Sequence, residues 1–351
     1  VEQLTANILF SGIGCQERGI LNTNLFDLEV VNTSEINKDS TLSYAAIHNN
    51  LTNELIEEYK YPAKEEMIKE LESKNIGYNF KNKKSFNWSR CKDIKKYWLA
   101  CKLSNNLGDI CKVDKLKYAD LWTISFMCTD ISYAGKMKGF NIDSNTRSSL
   151  LWESIRLLNQ AKIDNQLPKY LMFENVKALV SKKFINDFND LLDILENIGY
   201  NIYWKILNGK DCGIPQSRER VFAVCIKKDI DTKLFTFPKP FDNGLRAEDL
   251  LEKEVDEKYY LTEKTLSNIH FAKEVDINDI RVRRLTEKEM LLFMGLTNED
   301  YNKIKKVCVS DNNIAKQAGN GIITNCIELI MEHLYKAQYD NSYICYDENF
   351  Q

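Results

Sequence analysis

ANILFSGIGCQERGILNT, residues 6–23, reads as a strand, a tight turn and a helix in succession. Ala6–Phe10 is an apolar run of strand length, Ser11–Gly14 carries two glycines one residue apart, and Cys15 opens a stretch that can start a helix. A glycine-rich turn between a first strand and a first helix lets a ligand approach the backbone closely at the helix N-terminus. A dinucleotide fingerprint would place a third glycine three residues beyond Gly14, where Glu17 stands instead. A carboxylate there suits the helix dipole yet repels a pyrophosphate. That argues against NAD and for a nucleoside ligand without phosphates. Taken alone, the turn fits a plain tight connection equally well.

Outward from this unit the strand–helix rhythm continues. LEVVNTSEI reads as a second strand ending in an acid, followed by a helix through DSTLSYAAIHNN. DLWTISF, KYLMFENV and RVFAVCI read as three more strands. Strands alternating with helices imply a mostly parallel sheet covered on both faces. Residues 52–107 read as a charged helical insertion with an aromatic, basic interruption, YNFKNKKSFNWSR. From about Lys227 to Ile280 the rhythm breaks around FTFPKPFDNGLR, and helical patterns resume at LTEKEMLLFMGL and NGIITNCIELIMEHLY. The organisation is one α/β core with a small module inserted before its last helices.

Composition narrows the class. With 351 residues, 44% hydrophobic and 28% charged, the chain matches an ordinary soluble enzyme. No apolar run approaches the ~20 residues a membrane helix needs, and VEQLTANILF does not read as a secretory leader. The net charge of −3 announces no global basic field for nucleic acid. Ten cysteines without a CxxC pair and three scattered histidines point to reduced thiols in the cytoplasm, with no metal site.

Several residues can carry chemistry, each with a plainer reading beside it. Glu35 ends the second strand, where a carboxylate can accept from both ribose hydroxyls; Asp109 falls where a strand-end loop could hold an adenine amino group. Singly, each reads equally as a solvated surface acid. Glu174 follows four apolar strand residues, so burial should raise its pKa and keep it useful as a proton donor; a structural acid bonded to amides is the alternative. Arg218 and Arg220 alternate at the start of a strand and could clamp phosphate or a carbonyl oxygen, or form an exposed edge pair. Cys128 stands where a strand ends and a loop with two lysines and two glycines begins, an unusual place for a structural thiol.

The order of these segments resembles that of the cytosine-C5 DNA methyltransferases along nearly the whole chain. FSGIG is similar to the cofactor glycine motif, MCTDISYAGKMKGF to the nucleophile loop, ENV to the glutamate motif and QSRER to the paired-arginine motif. RVRRLTEKEMLLFMG is similar to the helix after the recognition domain and AGNGI to the last motif. Six such matches in order are specific. The resemblance implies a Rossmann-like class I methyltransferase mixed sheet with helices on both faces. It implies a catalytic domain over 1–226 with the insertion 52–107, a target-recognition region over 227–280 and completing helices over 281–351. It implies S-adenosylmethionine as donor, leaving S-adenosylhomocysteine. Phe10, Gly12, Ile13, Gly14, Glu35, Ile36, Asp109, Ile110, Leu150 and Asn320 would bind it, with Phe10 stacking on the adenine. The acceptor would be a cytosine flipped from duplex DNA, attacked at C6 by Cys128, with Glu174 at N3, Arg220 at O2 and Arg218 in support. Ser132, Lys136, Lys138 and Arg147 would meet the DNA. A monomer in the cytoplasm of a bacterial or phage-infected cell is implied, with a cognate restriction enzyme as an optional partner.

The chain departs from the family pattern in places. Met127-Cys128-Thr129 replaces Pro-Cys-Gln, Gly321 stands where a small hydroxyl residue is usual, and the recognition region is short. A transfer-RNA methyltransferase of the same fold, which would carry Pro-Pro-Cys-Gln, and a catalytically weakened DNA-binding relative are the competing readings. Lys81, Lys83, Lys84, Trp88 and Arg90 in the insertion suggest a backbone-tracking DNA surface, or a solvated helical lobe.

Overall fold

A computed structural model describes residues 1–80, 82–126, 150–266 and 281–344. Among the described residues, six strands form one sheet: β1 Glu2–Leu9, β2 Phe26–Ser34, β3 Leu121–Ile124, β4 Tyr170–Val176, β5 Tyr200–Asn208 and β6 Glu219–Lys227. Their spatial order is β2-β1-β3-β4-β6-β5. Neighbours pair in parallel except that β6 runs antiparallel to both β4 and β5. The residue-level expectation of five strands therefore misses β5, YNIYWKILN. This edge strand is half exposed, with Trp204 41% accessible, so it lacks the apolar run that marks the buried strands.

The central strands read as unbroken apolar runs because each of their faces meets helices. Along β4, Tyr170 and Met172 enter one core while Leu171 and Phe173 enter the other. Along β6, Phe222, Val224 and Ile226 face the first core and Val221, Ala223 and Cys225 the second.

The helices are α1 Cys15–Asn22, α2 Lys38–His48, α3 Asn53–Glu58, α4 Lys64–Ser73, α5 Ile94–Leu103, α6 Leu151–Ile163, α7 Ile185–Ile198, α8 Glu263–Leu266, α9 Glu287–Leu292, α10 Asn298–Lys306, α11 Asp311–Asn320 and α12 Thr324–Tyr339. Asn37 caps α2 by accepting from the Asp39 and Ser40 amides. Thr286 and Glu289 form a reciprocal capping box on α9, where the sequence shows T-x-x-E. α1 packs on α12, through Gly19: a Cβ there would lie 2.5 Å from Ile327 Cβ.

The insertion folds as α3, α4 and α5 around Met67, Leu71, Trp88 and Leu99. Trp88 is fully buried and its Nε1–H donates to the Ile76 carbonyl at 3.0 Å. It is therefore the centre of this lobe and unavailable for stacking on nucleic acid. Lys83, Lys84 and Arg90 are exposed, and Lys81 lies outside the described residues. The irregular stretch 228–245 packs on the main core: Phe235 is fully buried 5.4 Å from the Tyr203 ring, and Thr232 Oγ1 donates to the Ala337 carbonyl at 2.8 Å.

Candidate active site

The strand-end edge of the sheet opens into a cavity of about 600 Å³, a size suited to a nucleoside-sized ligand. The glycine turn forms one wall. Phe10 adopts φ 57, Gly12 φ 54 and Gly14 φ 84, so the chain leaves β1 through three left-handed residues. A Cβ at Gly12 would stand in open space, whereas one at Gly14 would lie 2.3 Å from His48 Nε2 and 2.9 Å from Tyr44 Cδ2. Gly14 is thus required by packing behind the turn, and the open side of Gly12 faces the cavity.

Glu35 closes the turn from β2. Its Oε2 accepts from the Gly12 amide at 3.0 Å and its Oε1 from the Asn37 amide at 2.7 Å. Burial raises its pKa, and these two amides with that of Ile36 offset part of the rise. Each carboxylate oxygen retains acceptor capacity. Asn106, unnoticed in the sequence, holds the backbone of Glu35 by accepting from its amide at 3.0 Å and donating to its carbonyl at 2.8 Å. Asp109 lies beyond, accepting from Cys111 N at 3.0 Å and Asn75 Nδ2 at 2.7 Å.

Glu17 stands elsewhere than the phosphate argument assumed. Its carboxylate turns beneath the glycine turn, away from the cavity, and accepts a hydrogen bond from the Tyr44 hydroxyl. Burial pushes its pKa up to about 7. His48 Nδ1 lies 3.6 Å from Glu17 Oε1, and His48 Nε2 lies 3.3 Å from the Ile13 carbonyl. Burial lowers the His48 pKa to about 3, helped by the nearby Arg18 charge, so the ring is neutral at ordinary pH and no ion pair forms.

Opposite the turn, β4 delivers Glu174 and β6 delivers Arg220. Glu174 pairs across the sheet with Phe222 and Val176 with Arg220, so Glu174 and Arg220 are diagonal neighbours on one face. Arg220 Nε sits 3.3 Å from Glu174 Oε1. Burial raises the Glu174 pKa to about 7, against the lowering pull of Arg220 and then Arg218. A carboxyl group poised there can hold or give a proton near neutral pH.

Arg218 takes a different position. Its Nη2 donates to the Gly319 carbonyl at 2.9 Å and the Gly321 carbonyl at 2.8 Å, tying the start of β6 to the end of α11 beside Asn320. The two arginines are thus unlike in what they hold. Asn175, noted only within ENV, donates from Nδ2 to the Phe126 carbonyl at 3.0 Å and anchors the chain two residues before Cys128.

Phe10, Gly12, Ile13, Glu35, Ile36, Asp109, Ile110, Leu150, Glu174, Arg218, Arg220 and Asn320 all line the one cavity, with Gly14 directly behind it. Met127, Cys128, Ser132, Lys136, Lys138 and Arg147 lie outside the described residues. Lining residues that sequence reasoning missed include Gln16, Asn37, Tyr78, Phe80, Phe86 and Gln317. Gln16, Asn37 and Gln317 come from segments far apart with no local pattern, whereas Tyr78, Phe80 and Phe86 belong to the aromatic, basic stretch YNFKNKKSFNWSR, whose cavity-facing role the sequence did not show. Among the described residues, no cluster of three or more His, Cys, Asp or Glu could hold a metal, and no helix is long and apolar enough to cross a membrane.

A left-handed glycine turn, a carboxylate at the end of the adjacent strand and a cleft at the sheet's edge define an α/β molecule whose cavity opens at the strand-end edge, where folds of this class carry their ligand sites. Residues 71–280 match the C-5 cytosine-specific DNA methylase family. The chain is 36% identical to the type II methyltransferase M2.ScrFI of Lactococcus lactis subsp. cremoris, over 94% of this chain and 98% of that protein. It is 32% identical to the orphan methyltransferase M.SssI of Spiroplasma monobiae, over 93% and 95%. In fold it is similar to the Entamoeba histolytica methyltransferase EhMeth, with a TM-score of 0.63 at 16% identity over 96% of this chain and 99% of that one. The chain belongs to the C-5 cytosine-specific DNA methylase family and is a DNA cytosine-5-methyltransferase.

Proposed function

We propose that this enzyme methylates C5 of a cytosine flipped out of a specific duplex DNA sequence, with S-adenosylmethionine as donor and Cys128 as the transient nucleophile. The observation that carries the reading is the Glu174–Arg220 pair across one cavity from the glycine turn and Glu35. The donor supplies, when bound, an electrophilic methyl group on a sulfonium. The cavity suits it: Glu35 offers free acceptor positions for ribose hydroxyls, Asp109 an acceptor for an amino group, and the open side of Gly12 room for close approach. Phe10, Ile13, Ile36, Ile110 and Leu150 offer apolar contact, and Asn320 a polar rim.

Cytosine C5 is a weak nucleophile. Addition of the Cys128 thiolate at C6 makes C5 enamine-like and able to take the methyl group. Glu174 holds a proton near N3, relieving the charge that this addition pushes into the ring, and Arg220 holds O2. Loss of the C5 proton to a base then expels Cys128 and restores the thiolate. Arg218 keeps the Asn320 segment in place rather than touching the base. Ser132, Lys136, Lys138 and Arg147 meet the DNA backbone.

The same reading assigns 1–226 with 281–351 to the catalytic part and 227–280 to target recognition. The enzyme acts as a monomer in a bacterial or phage-infected cytoplasm, with or without a restriction partner. The test is incubation with 5-fluorocytosine-containing duplex DNA and labelled donor. A covalent protein–DNA adduct that vanishes in Cys128→Ser is the expected result; turnover retained by that variant sinks the mechanism.

A further inference from the structure

The insertion between β2 and β3 reaches the cavity. Its turn at 74–77 is sewn to the strand-end loops: the Gly77 amide donates to the Ile36 carbonyl at 2.7 Å and the Asp109 amide to the Lys74 carbonyl at 2.9 Å. Asn75 Nδ2 donates to Asp109 Oδ2 at 2.7 Å. Gly108 passes so close that a Cβ there would lie 2.1 Å from the Lys74 carbonyl oxygen. Beyond this turn stand three aromatic side chains that line the cavity, Tyr78, Phe80 and Phe86. Their positions are set from behind. The Phe86 amide donates to the Gly77 carbonyl at 3.1 Å, and the Phe86 ring lies 4.7 Å from the buried Trp88 ring at 65°. Tyr78 and Phe80 meet edge to face at 5.1 Å, and Lys38 Nζ sits 4.9 Å from the Phe86 ring centre.

We propose that the insertion is part of the cofactor site, with Tyr78, Phe80 and Phe86 forming an aromatic wall over the adenosyl half of S-adenosylmethionine and the turn at 74–77 locking Asp109 and Ile36 beneath it. The proposal rests on the reading of this cavity as the cofactor site. The adenosyl half is assigned because the stitching runs through Ile36 and Asp109, beside Glu35, and not through Glu174 or Arg220. Aromatic faces suit a purine or ribose edge by stacking and apolar contact. Trp88 lies in the interior, while Tyr78, Phe80 and Phe86 face the cavity.

The test compares the full-length chain with Tyr78→Ala/Phe80→Ala, measuring Kd for S-adenosylmethionine and S-adenosylhomocysteine by calorimetry. Kd for a cytosine-containing duplex is measured at saturating S-adenosylhomocysteine. Both nucleosides should weaken by a common factor of about ten, because they share the adenosyl group, while duplex affinity holds. A loss confined to the sulfonium compound places the wall at the methyl donor and overturns the assignment. Unchanged affinity for both, with wild-type binding intact, overturns the proposal, as does a loss of duplex affinity alone. A wild-type chain that binds neither nucleoside overturns the cofactor reading itself, a separate and recognisable failure. Should the double variant lose the lobe's fold, read from a lowered thermal midpoint, Phe86→Leu keeps apolar packing against Trp88 and removes only the aromatic face. It should still weaken both nucleosides several-fold, and parity with wild type overturns the wall.

Discussion

Gly12 and Gly14 both adopt left-handed backbone, yet the structure predicts very different costs for giving each a side chain. At Gly12, φ 54, a methyl group meets nothing within 4 Å, so Gly12→Ala carries only the left-handed penalty, about 1–2 kcal/mol. At Gly14, φ 84, the same methyl group would stand 2.3 Å from His48 Nε2, 2.6 Å from His48 Cδ2 and 2.9 Å from Tyr44 Cδ2. Those rings are buried and pinned by Glu17 and the Ile13 carbonyl, so they yield poorly. Overpacking adds about 1–3 kcal/mol, for a total of about 2–5 kcal/mol. Urea unfolding followed by tryptophan emission measures both variants. Truncating the obstacle supplies the internal check: in a His48→Ala background, Gly14→Ala should cost about 1–2 kcal/mol less than in wild type. The Tyr44 contact keeps the rescue partial. Equal costs at the two glycines, or no relief on removing the His48 ring, would refute the packing argument.

The buried pair beneath the turn predicts opposing pH slopes. Glu17, raised to about 7, holds its proton more tightly folded than unfolded, so its contribution falls as pH rises from about 4.5 to about 7. His48, lowered to about 3, stays neutral while the unfolded chain protonates, so its contribution is lost as pH falls below about 6.5. Urea midpoints at several pH values should therefore climb more steeply with pH in Glu17→Gln and less steeply in His48→Phe; unaltered slopes would exclude these titrations. Asn175→Ala removes its hydrogen bond to the Phe126 carbonyl and should cost about 1 kcal/mol. It should slow turnover roughly tenfold or more through misplacement near the proposed nucleophile Cys128, while S-adenosylhomocysteine Kd stays within about twofold of wild type; a Kd change matching the rate loss would contradict a role confined to anchoring Phe126. Trp88→Phe removes the indole donor to Ile76, leaving a buried carbonyl unpaired at about 1–3 kcal/mol, seen as a lower thermal midpoint; a neutral result would mean the lobe is held by packing alone.

The sequence by itself determined the alternation of buried strands and helices, the glycine turn after β1 and the order of chemical motifs. These depend on neighbours in the chain: an apolar run buries as a strand, and a glycine permits positive φ wherever the backbone turns back on a helix. Glu174's perturbation was legible for the same reason, four buried residues preceding it. Tertiary structure alone decided which way side chains face and what meets across the sheet. It turned Glu17 under the glycine turn, sent Trp88 into the lobe, and set Arg218 on the carbonyls of Gly319 and Gly321. It also ran β6 antiparallel to β4 and to the half-exposed edge strand β5. Aromatic and charged residues look alike in sequence whether they meet solvent, ligand or core, because that choice is made by contacts between segments from about a dozen to about a hundred residues apart.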